Sequence, residues 1–292
     1  MTEADTEAEA DGFRSGFVAM FGRPNTGKST IVNKIVGEKV SITSNKAQTT
    51  RHQIRGVLTT PDAQVVFVDT PGVGKPRTAL GEKLNVTARQ GRVDADVVCF
   101  VVDARSGYGR GDAYLVENLD PDQTVLVLNK IDGMEPAAIA EQLTLVAPLG
   151  FSAYFPVSGF TGAGLKPLVE HLIERLPEGP RWFPNHAITD VSDSQWVAEL
   201  VREQLLRILR QELPHSVATR VVEWEDKRIK VEILVERESQ KGIVIGKGGA
   251  VLKKVGTNVR KQLAPGYHLE LVVSVEPNWQ HDPAGVERML RQ

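Results

Sequence analysis

Gly22-Arg23-Pro24-Asn25-Thr26-Gly27-Lys28-Ser29 reads G-x-x-x-x-G-K-S. Glycines at both ends let the backbone curl so that successive N–H groups point inward, and a helix starting near Lys28 adds the positive end of its dipole. A polyphosphate fits such a cradle. The Lys28 ammonium can reach the terminal phosphates and the Ser29 hydroxyl can hold Mg²⁺. About forty residues on, Asp69-Thr70-Pro71-Gly72 forms D-x-x-G. Its acid can hold the same Mg²⁺ through water, and the Gly72 N–H can reach a γ-phosphate. Asn129-Lys130-Ile131-Asp132 is N-K-x-D. Asp132 can accept from the ring N–H and exocyclic amine of guanine, Asn129 can reach N7, and the Lys130 stem can cover the ring. Adenine lacks that pair of donors, so a buried acceptor would be left unpaired against it. Ser158-Gly159 is placed to back the base from the opposite side. Val73 follows Gly72, and a valine there cannot orient a water toward a γ-phosphate, which implies slow intrinsic hydrolysis.

A fourth run lies far downstream. Gly246-Lys247-Gly248-Gly249 is G-x-x-G, preceded by Ile243-Val244-Ile245 and followed by a segment compatible with a helix. Without Cβ atoms at the glycines a nucleic-acid backbone can approach closely, and Lys247 can pair with phosphate. From Arg237 to Lys261 there are seven Lys/Arg against one acid, Glu238. Lys241, Lys247, Lys253 and Lys254 give this stretch the electrostatics of an RNA-binding surface, with Ile245 beside the loop.

The elements that must position these runs follow from apolar period and punctuation. Strands are predicted at 16–21, 53–59, 64–68, 97–102, 124–128 and 154–157, with helices at 30–36, 80–93, 112–119 and 164–176. Strand and helix alternate, which predicts a doubly wound α/β sheet with its motifs at strand C-termini. Between them, Glu38 to Arg55 is too rich in hydroxyls for core and reads as a mobile loop. Leu176-Pro177-Glu178-Gly179-Pro180 breaks every pattern and marks a domain boundary. Beyond it the prediction is a helix over 194–213, strands over 215–222 and 228–235 joined by a charged turn at 223–227, then helix, G-x-x-G, helix and a strand near 268–275. The domain expectation is a disordered acidic tail over 1–15, a nucleotide domain over 16–176, a linker over 177–193 and a smaller α+β domain over 194–292.

Composition agrees with a two-domain protein of ordinary type: 292 residues, 41% hydrophobic, 25% charged and a net charge of −2. No run approaches the ~18 apolar residues of a membrane span, and the acidic N-terminus is unlike a signal peptide, so a cytosolic protein is expected. The single cysteine, Cys99, sits in an apolar strand and reads as a buried hydrophobe.

The motifs in residues 16–176, together with Lys46-Ala47-Gln48-Thr49-Thr50-Arg51-His52, resemble a Ras-like P-loop GTPase domain of the Era family. The order of elements around G-x-x-G resembles a type II KH domain, and the two in succession resemble that family over nearly the whole chain. Glu199, Arg202 and Glu203 share in the likeness. The resemblance implies GTP and GDP as ligands of residues 22–29, Asp69, Thr70, Pro71, Gly72, Val73, Asn129, Lys130, Ile131, Asp132 and Ser158. It implies Mg²⁺ on Ser29, Thr50 and Asp69, catalysis by Lys28, Thr50 and Gly72, and a K⁺ ion near Asn25 completed by main-chain carbonyls of the switch loop that contains Thr50. As partners it implies the 3′ end of 16S rRNA, engaged by Lys241, Ile245, Gly246, Lys247, Gly248, Gly249, Lys253 and Lys254, and the assembling 30S subunit. A monomer in the cytoplasm with peripheral membrane contact completes the expectation. A P-loop kinase would have no use for N-K-I-D, and an RNA-binding module with a relic nucleotide site would not need Lys28, Ser29, Asp69 and Asp132 intact.

Overall fold

The structure, a computed structural model, describes residues 12–290 apart from 211, 212, 214 and 215. The chain falls into two compact units. The first takes in residues up to 41, 50–75 and 84–190; the second takes in 42–49, 76–83 and the chain from 191 onward.

The first unit is built on a six-stranded sheet in the order β2-β3-β1-β4-β5-β6. Its strands are β1 (Arg14–Phe21), β2 (Ile54–Thr59), β3 (Ala63–Asp69), β4 (Val97–Asp103), β5 (Thr124–Asn129) and β6 (Ala153–Val157). Only β2 runs antiparallel, paired with β3 through a short turn; the remaining pairs are parallel. Parallel strands covered on both faces need continuous apolar sequence, and β3, β4 and β5 supply it. Successive side chains feed two cores. Val18, Met20, Val65, Phe67, Cys99, Val101, Val125 and Val127 pack with Ile31 and Val32 of α1 (Lys28–Val36) and Leu165, Leu168 and Leu172 of α5 (Leu165–Arg175). Phe21, Val98, Phe100, Val102, Leu126 and Leu128 pack with α2 (Ala79–Val93), α3 (Arg110–Val116) and α4 (Pro136–Val146) through Ala88, Leu115 and Val146. Burial pushes the Cys99 thiol up to about 12, so this sulfur is core and not a nucleophile.

Three expectations for this unit need correction. The predicted tail reaches too far: residues 1–11 lie outside the described residues, but Phe13 is buried and Arg14 and Ser15 belong to β1. Helix α4 was not predicted: Ile139, Leu143 and Val146 recur at helical spacing and face the core, but only Val146 is fully buried. The predicted linker is structured. Pro177 O accepts from Ser15 N at 3.0 Å, Ile188 O accepts from Val57 N at 2.9 Å, and Gln64 holds the main chain at Trp182 and Phe183. Residues 177–190 therefore finish the first unit by satisfying strand-edge groups that water would otherwise take.

The second unit has α6 (Asp193–Ile208), β7 (Ala218–Glu225), β8 (Arg228–Val235), α7 (Glu238–Ile245), α8 (Ala250–Arg260), β9 (His268–Val275) and α9 (Pro283–Leu290). The sheet order is β7-β8-β9, antiparallel then parallel. Its core joins Leu200, Val201 and Leu205 of α6 to Ile229, Val231 and Ile233 of β8 and Val255 and Val259 of α8. Ser192 caps α6 through its hydroxyl on Gln195 N, and the helix stops at Ile208 because Leu209 turns extended (ψ 151°). The predicted continuation to Leu213 mistook two core leucines, Leu209 and Leu213, for helical period. Strand β7 lies three residues later than predicted. Glu225 pairs with Arg228 across a two-residue turn in which Asp226 takes φ 49°, so the turn sets a different register. Helix α9 also escaped prediction; Asp282 caps it on Gly285 N at 2.9 Å, with Pro283 at its first position.

Candidate functional site

In the first unit the phosphate loop leaves β1 at Phe21 and enters α1 at Lys28. Gly22 has φ 145°, and a Cβ there would lie 2.5 Å from Val101 O. Gly27 has φ 96°, and a Cβ would meet Asn129 Nδ2 at 2.2 Å. These are positions only glycine can fill. Lys28 is buried and its ammonium donates to Gly22 O at 3.1 Å and Arg23 O at 2.8 Å, inside the loop's curve. Burial lowers its pKa to about 8, partly offset by the charge of Asp69. Arg23 directs its guanidinium away from the loop's interior onto the buried carboxylate of Asp112, 2.8 Å from Nε to Oδ1. Thr26 Oγ1 bonds Arg23 O at 3.1 Å. Asn25 is exposed with φ 64°.

Ser29, Thr50 and Asp69 converge beside this loop. Ser29 Oγ lies 2.9 Å from Thr50 Oγ1, which donates to Asp69 Oδ2 at 3.5 Å; Ser41 Oγ donates to the same oxygen at 2.8 Å. Asp69 Oδ1 is buried and has no hydrogen-bond partner among the described residues. Burial raises the pKa of this carboxyl, with hydroxyl bonds and Lys28 opposing. Two hydroxyls and a carboxylate with an unsatisfied oxygen are the donor set a hard divalent cation takes, so these residues fit Mg²⁺. Past them, Gly72 approaches the phosphate loop so closely that a Cβ would sit 2.4 Å from Pro24 Cα. Thr70 Oγ1 turns back to Met20 O at 2.7 Å, and Pro71 is buried. Val73 N donates to Gly22 O at 3.2 Å while its side chain enters the core, 2% exposed, so it cannot hold a water near the phosphates.

The N-K-x-D run sits at the end of β5. Asn129 is a brace: Nδ2 donates to Thr26 O at 2.8 Å and Oδ1 accepts from Gly159 N at 2.9 Å, tying the phosphate loop to the 158–159 turn. Lys130, at φ 70°, donates to Asn25 O at 2.6 Å and pairs with Asp103 at 2.7 Å. Ile131 is partly buried against the core. Ser158 Oγ donates to Asp132 Oδ1 at 2.7 Å, and this bond, with help from Arg105, holds the Asp132 carboxyl below its ordinary pKa. Ser41, Asp103 and Arg105 escaped the sequence reading because no local spacing reveals what brings them here: the pairing of β4 with β5 for Asp103 and Arg105, and the path of the loop after α1 for Ser41.

In the second unit the G-x-x-G loop joins α7 to α8. Gly246, Gly248 and Gly249 have φ of 75°, 60° and 77°. A Cβ at Gly246 would strike Val251 N at 2.9 Å, whereas Gly248 and Gly249 face open space. Lys247, Lys253 and Lys254 are exposed; Lys241 and Ile245 are half-buried, and Ile243 is 57% exposed. The result is an open glycine backbone flanked by cations and an apolar side chain, suited to a phosphodiester strand with unstacked bases. Segment 42–49 belongs to this unit and is held by α6. Thr43 N donates to Glu203 Oε1 at 3.1 Å, and Arg202, paired with Glu199, donates to Thr49 O; all three α6 side chains are buried.

A family model described as 50S ribosome-binding GTPase matches residues 17–130, and one described as KH domain matches 212–280. The chain is 41% identical to GTPase Era of Leuconostoc citreum (strain KM20), over 95% of this chain and 96% of that protein. The chain belongs to the Era GTPase family. Two solved Era structures superpose with TM-scores of 0.91 at 36% identity, each covering 95% of this chain and 99% of the other. One is Era in complex with MgGDPNP and nucleotides 1506–1542 of 16S ribosomal RNA; the other is a variant of Aquifex aeolicus Era bound to GDP·AlF₄⁻. As an Era GTPase, the chain carries its Ras-like α/β domain first and its KH domain second, and it hydrolyses GTP. Among the described residues no helix is long and apolar enough to cross a membrane.

Proposed function

We propose that this Era GTPase is a GTP-driven switch whose KH domain binds the 3′ end of 16S rRNA and assists assembly of the 30S subunit. The observation that carries the reading is the G-x-x-G loop. It has three glycines with positive φ, two of them facing open space, flanked by exposed lysines, in a chain whose solved relative holds 16S nucleotides. Lys241, Ile245, Lys247, Lys253 and Lys254 would line the strand with the glycines of 246–249.

In the nucleotide site, residues 22–29 take the phosphates of GTP or GDP, Ser29, Thr50 and Asp69 hold Mg²⁺, and Asp132 with Ser158 reads guanine. The metal supplies neutralisation of charge on the β- and γ-oxygens when bound. Lys28 and the Gly72 N–H stabilise the γ-phosphoryl as water attacks phosphorus and the bond to the β–γ bridging oxygen breaks, giving GDP and phosphate. With Val73 turned into the core, no side chain at that position orients the water, which supports slow intrinsic hydrolysis. Asn25, exposed on the phosphate loop, is the candidate to recruit K⁺ as an additional charge.

Two buried α6 residues support coupling between the sites. Arg202 and Glu203 grip the loop that ends one residue before Thr50, so a change at Thr50 on hydrolysis pulls on the KH domain's first helix. The family resemblance extends the reading to a cytoplasmic monomer with peripheral contact at the inner face of the membrane. Hydroxyl-radical footprinting on small subunits tests the proposal: protection confined to the 16S 3′ end is expected, and protection elsewhere or none would refute it.

A further inference from the structure

The ends of β4 and β5 carry charged residues in an interlocked pattern. The strands run parallel with Asp103 opposite Asn129, so the residues just beyond that pair share one rim of the sheet. Lys130 reaches back to Asp103, and Arg105 reaches across to Asp132. Arg105 Nη2 lies 2.5 Å from Asp132 Oδ2 and 2.6 Å from Asp132 O, while its Nε donates to Lys130 O at 3.2 Å. Its main-chain N donates to Asp103 Oδ1 at 3.0 Å, which ties the two ion pairs together. From the other side the Ser158 hydroxyl bonds Asp132 Oδ1.

Each carboxylate oxygen of Asp132 thus has one fixed donor, a guanidinium on one and a hydroxyl on the other. A carboxylate offers about four acceptor sites, two per oxygen, so one remains open on each. A guanine edge brings two donors, the ring N–H and the exocyclic amine.

We propose that Arg105, by clamping Asp132 against the 130–132 backbone opposite Ser158, is a positioning residue for base choice that holds both carboxylate oxygens toward the guanine edge. The inference rests on Asp132 being the base-reading residue. Arg105 lies outside the N-K-x-D run, and its side chain is 55% exposed, so its ion pair adds little to folding and its loss leaves the core intact.

Calorimetric binding of GDP and inosine diphosphate to the full chain tests it. Inosine diphosphate lacks the exocyclic amine and needs only one oriented oxygen. Arg105→Ala is expected to weaken GDP about tenfold and inosine diphosphate by less, so that discrimination between them shrinks. Arg105→Lys should recover part of the loss, keeping the charge without the planar fork. Asp132→Ala should abolish GDP binding. Unchanged or tighter GDP binding in Arg105→Ala, or equal losses for both nucleotides, would overturn the role of Arg105 while Asp132→Ala still loses GDP. Retained GDP binding in Asp132→Ala would instead overturn the base-site assignment, and the proposal with it.

Discussion

GDP binding should draw a proton onto Lys28, in an amount set by the lysine's surroundings. In the folded chain the ammonium is buried among main-chain carbonyls, and its pKa falls from 10.5 to about 8. A diphosphate beside it supplies the negative charge that burial withholds, returning the pKa to about its ordinary value or above. At about pH 8 half of the free lysines are protonated, so binding takes up about half a proton; the figure is about 0.1 at pH ~7 and about 0.9 at pH ~9. The bound state holds more protons, so affinity falls as pH rises through the free-state pKa. The decline is about tenfold, or about 1.4 kcal/mol, between pH ~7 and ~9. Folding stability of the nucleotide-free chain moves the other way. Between about 8 and 10.5 the unfolded lysine holds protons that the folded one has released, so stability rises with pH across that window. The assay is calorimetry of GDP binding without Mg²⁺, repeated in buffers of different ionisation enthalpy. Lys28→Arg is the control, because a guanidinium stays charged throughout. No net proton uptake near pH ~8, or an affinity that is level from pH ~7 to ~9, would show that Lys28 does not gain a proton on binding.

Two further outcomes follow from the same site. Asp132→Asn should lose GTP by about 2–4 kcal/mol and accept xanthosine triphosphate, whose added carbonyl can take a hydrogen bond from the amide; competition binding reads both, and unchanged GTP affinity would remove Asp132 from the base site. GTP hydrolysis should be faster in K⁺ than in Na⁺ at equal ionic strength, with the difference reduced in Asn25→Ala; equal rates in the two salts would exclude the proposed cation.

What the sequence made legible was whatever depends on contiguous residues. The phosphate loop, N-K-x-D and G-x-x-G each carry their chemistry within a few positions, and strand–helix alternation was enough to give the class of the first sheet, though not its strand order. The contributions of Ser41 to Asp69 and of Arg105 to Asp132 were not legible, since Ser41 lies in the loop after α1 and Arg105 just beyond β4, and each meets its partner only in the folded domain. Arg23 and Thr70 sit inside motifs, yet their side chains serve Asp112 and Met20 O; motif membership shows where a residue is and not which way it faces. The proline-rich run after Leu176 read as a spacer because prolines cannot enter a helix, but as an edge segment it needs only a few main-chain bonds, such as that from Val57 to Ile188. Helices α4 and α9 are short, and their apolar positions, Ile139, Leu143 and Val146 in one and Val286 and Met289 in the other, are too few to stand out as a period.

Whether the G-x-x-G loop is the RNA-binding element of a working GTPase is decided by Gly248→Asp. The position faces open space at φ 60°, a conformation aspartate tolerates better than most residues, so the variant should fold. Affinity for an oligonucleotide of the 16S 3′ end, measured at several salt concentrations, should fall at least about tenfold as the carboxylate repels the phosphates. GTP binding should be unchanged. RNA affinity equal to that of the unmodified chain at every salt concentration would show that this loop does not bind the RNA.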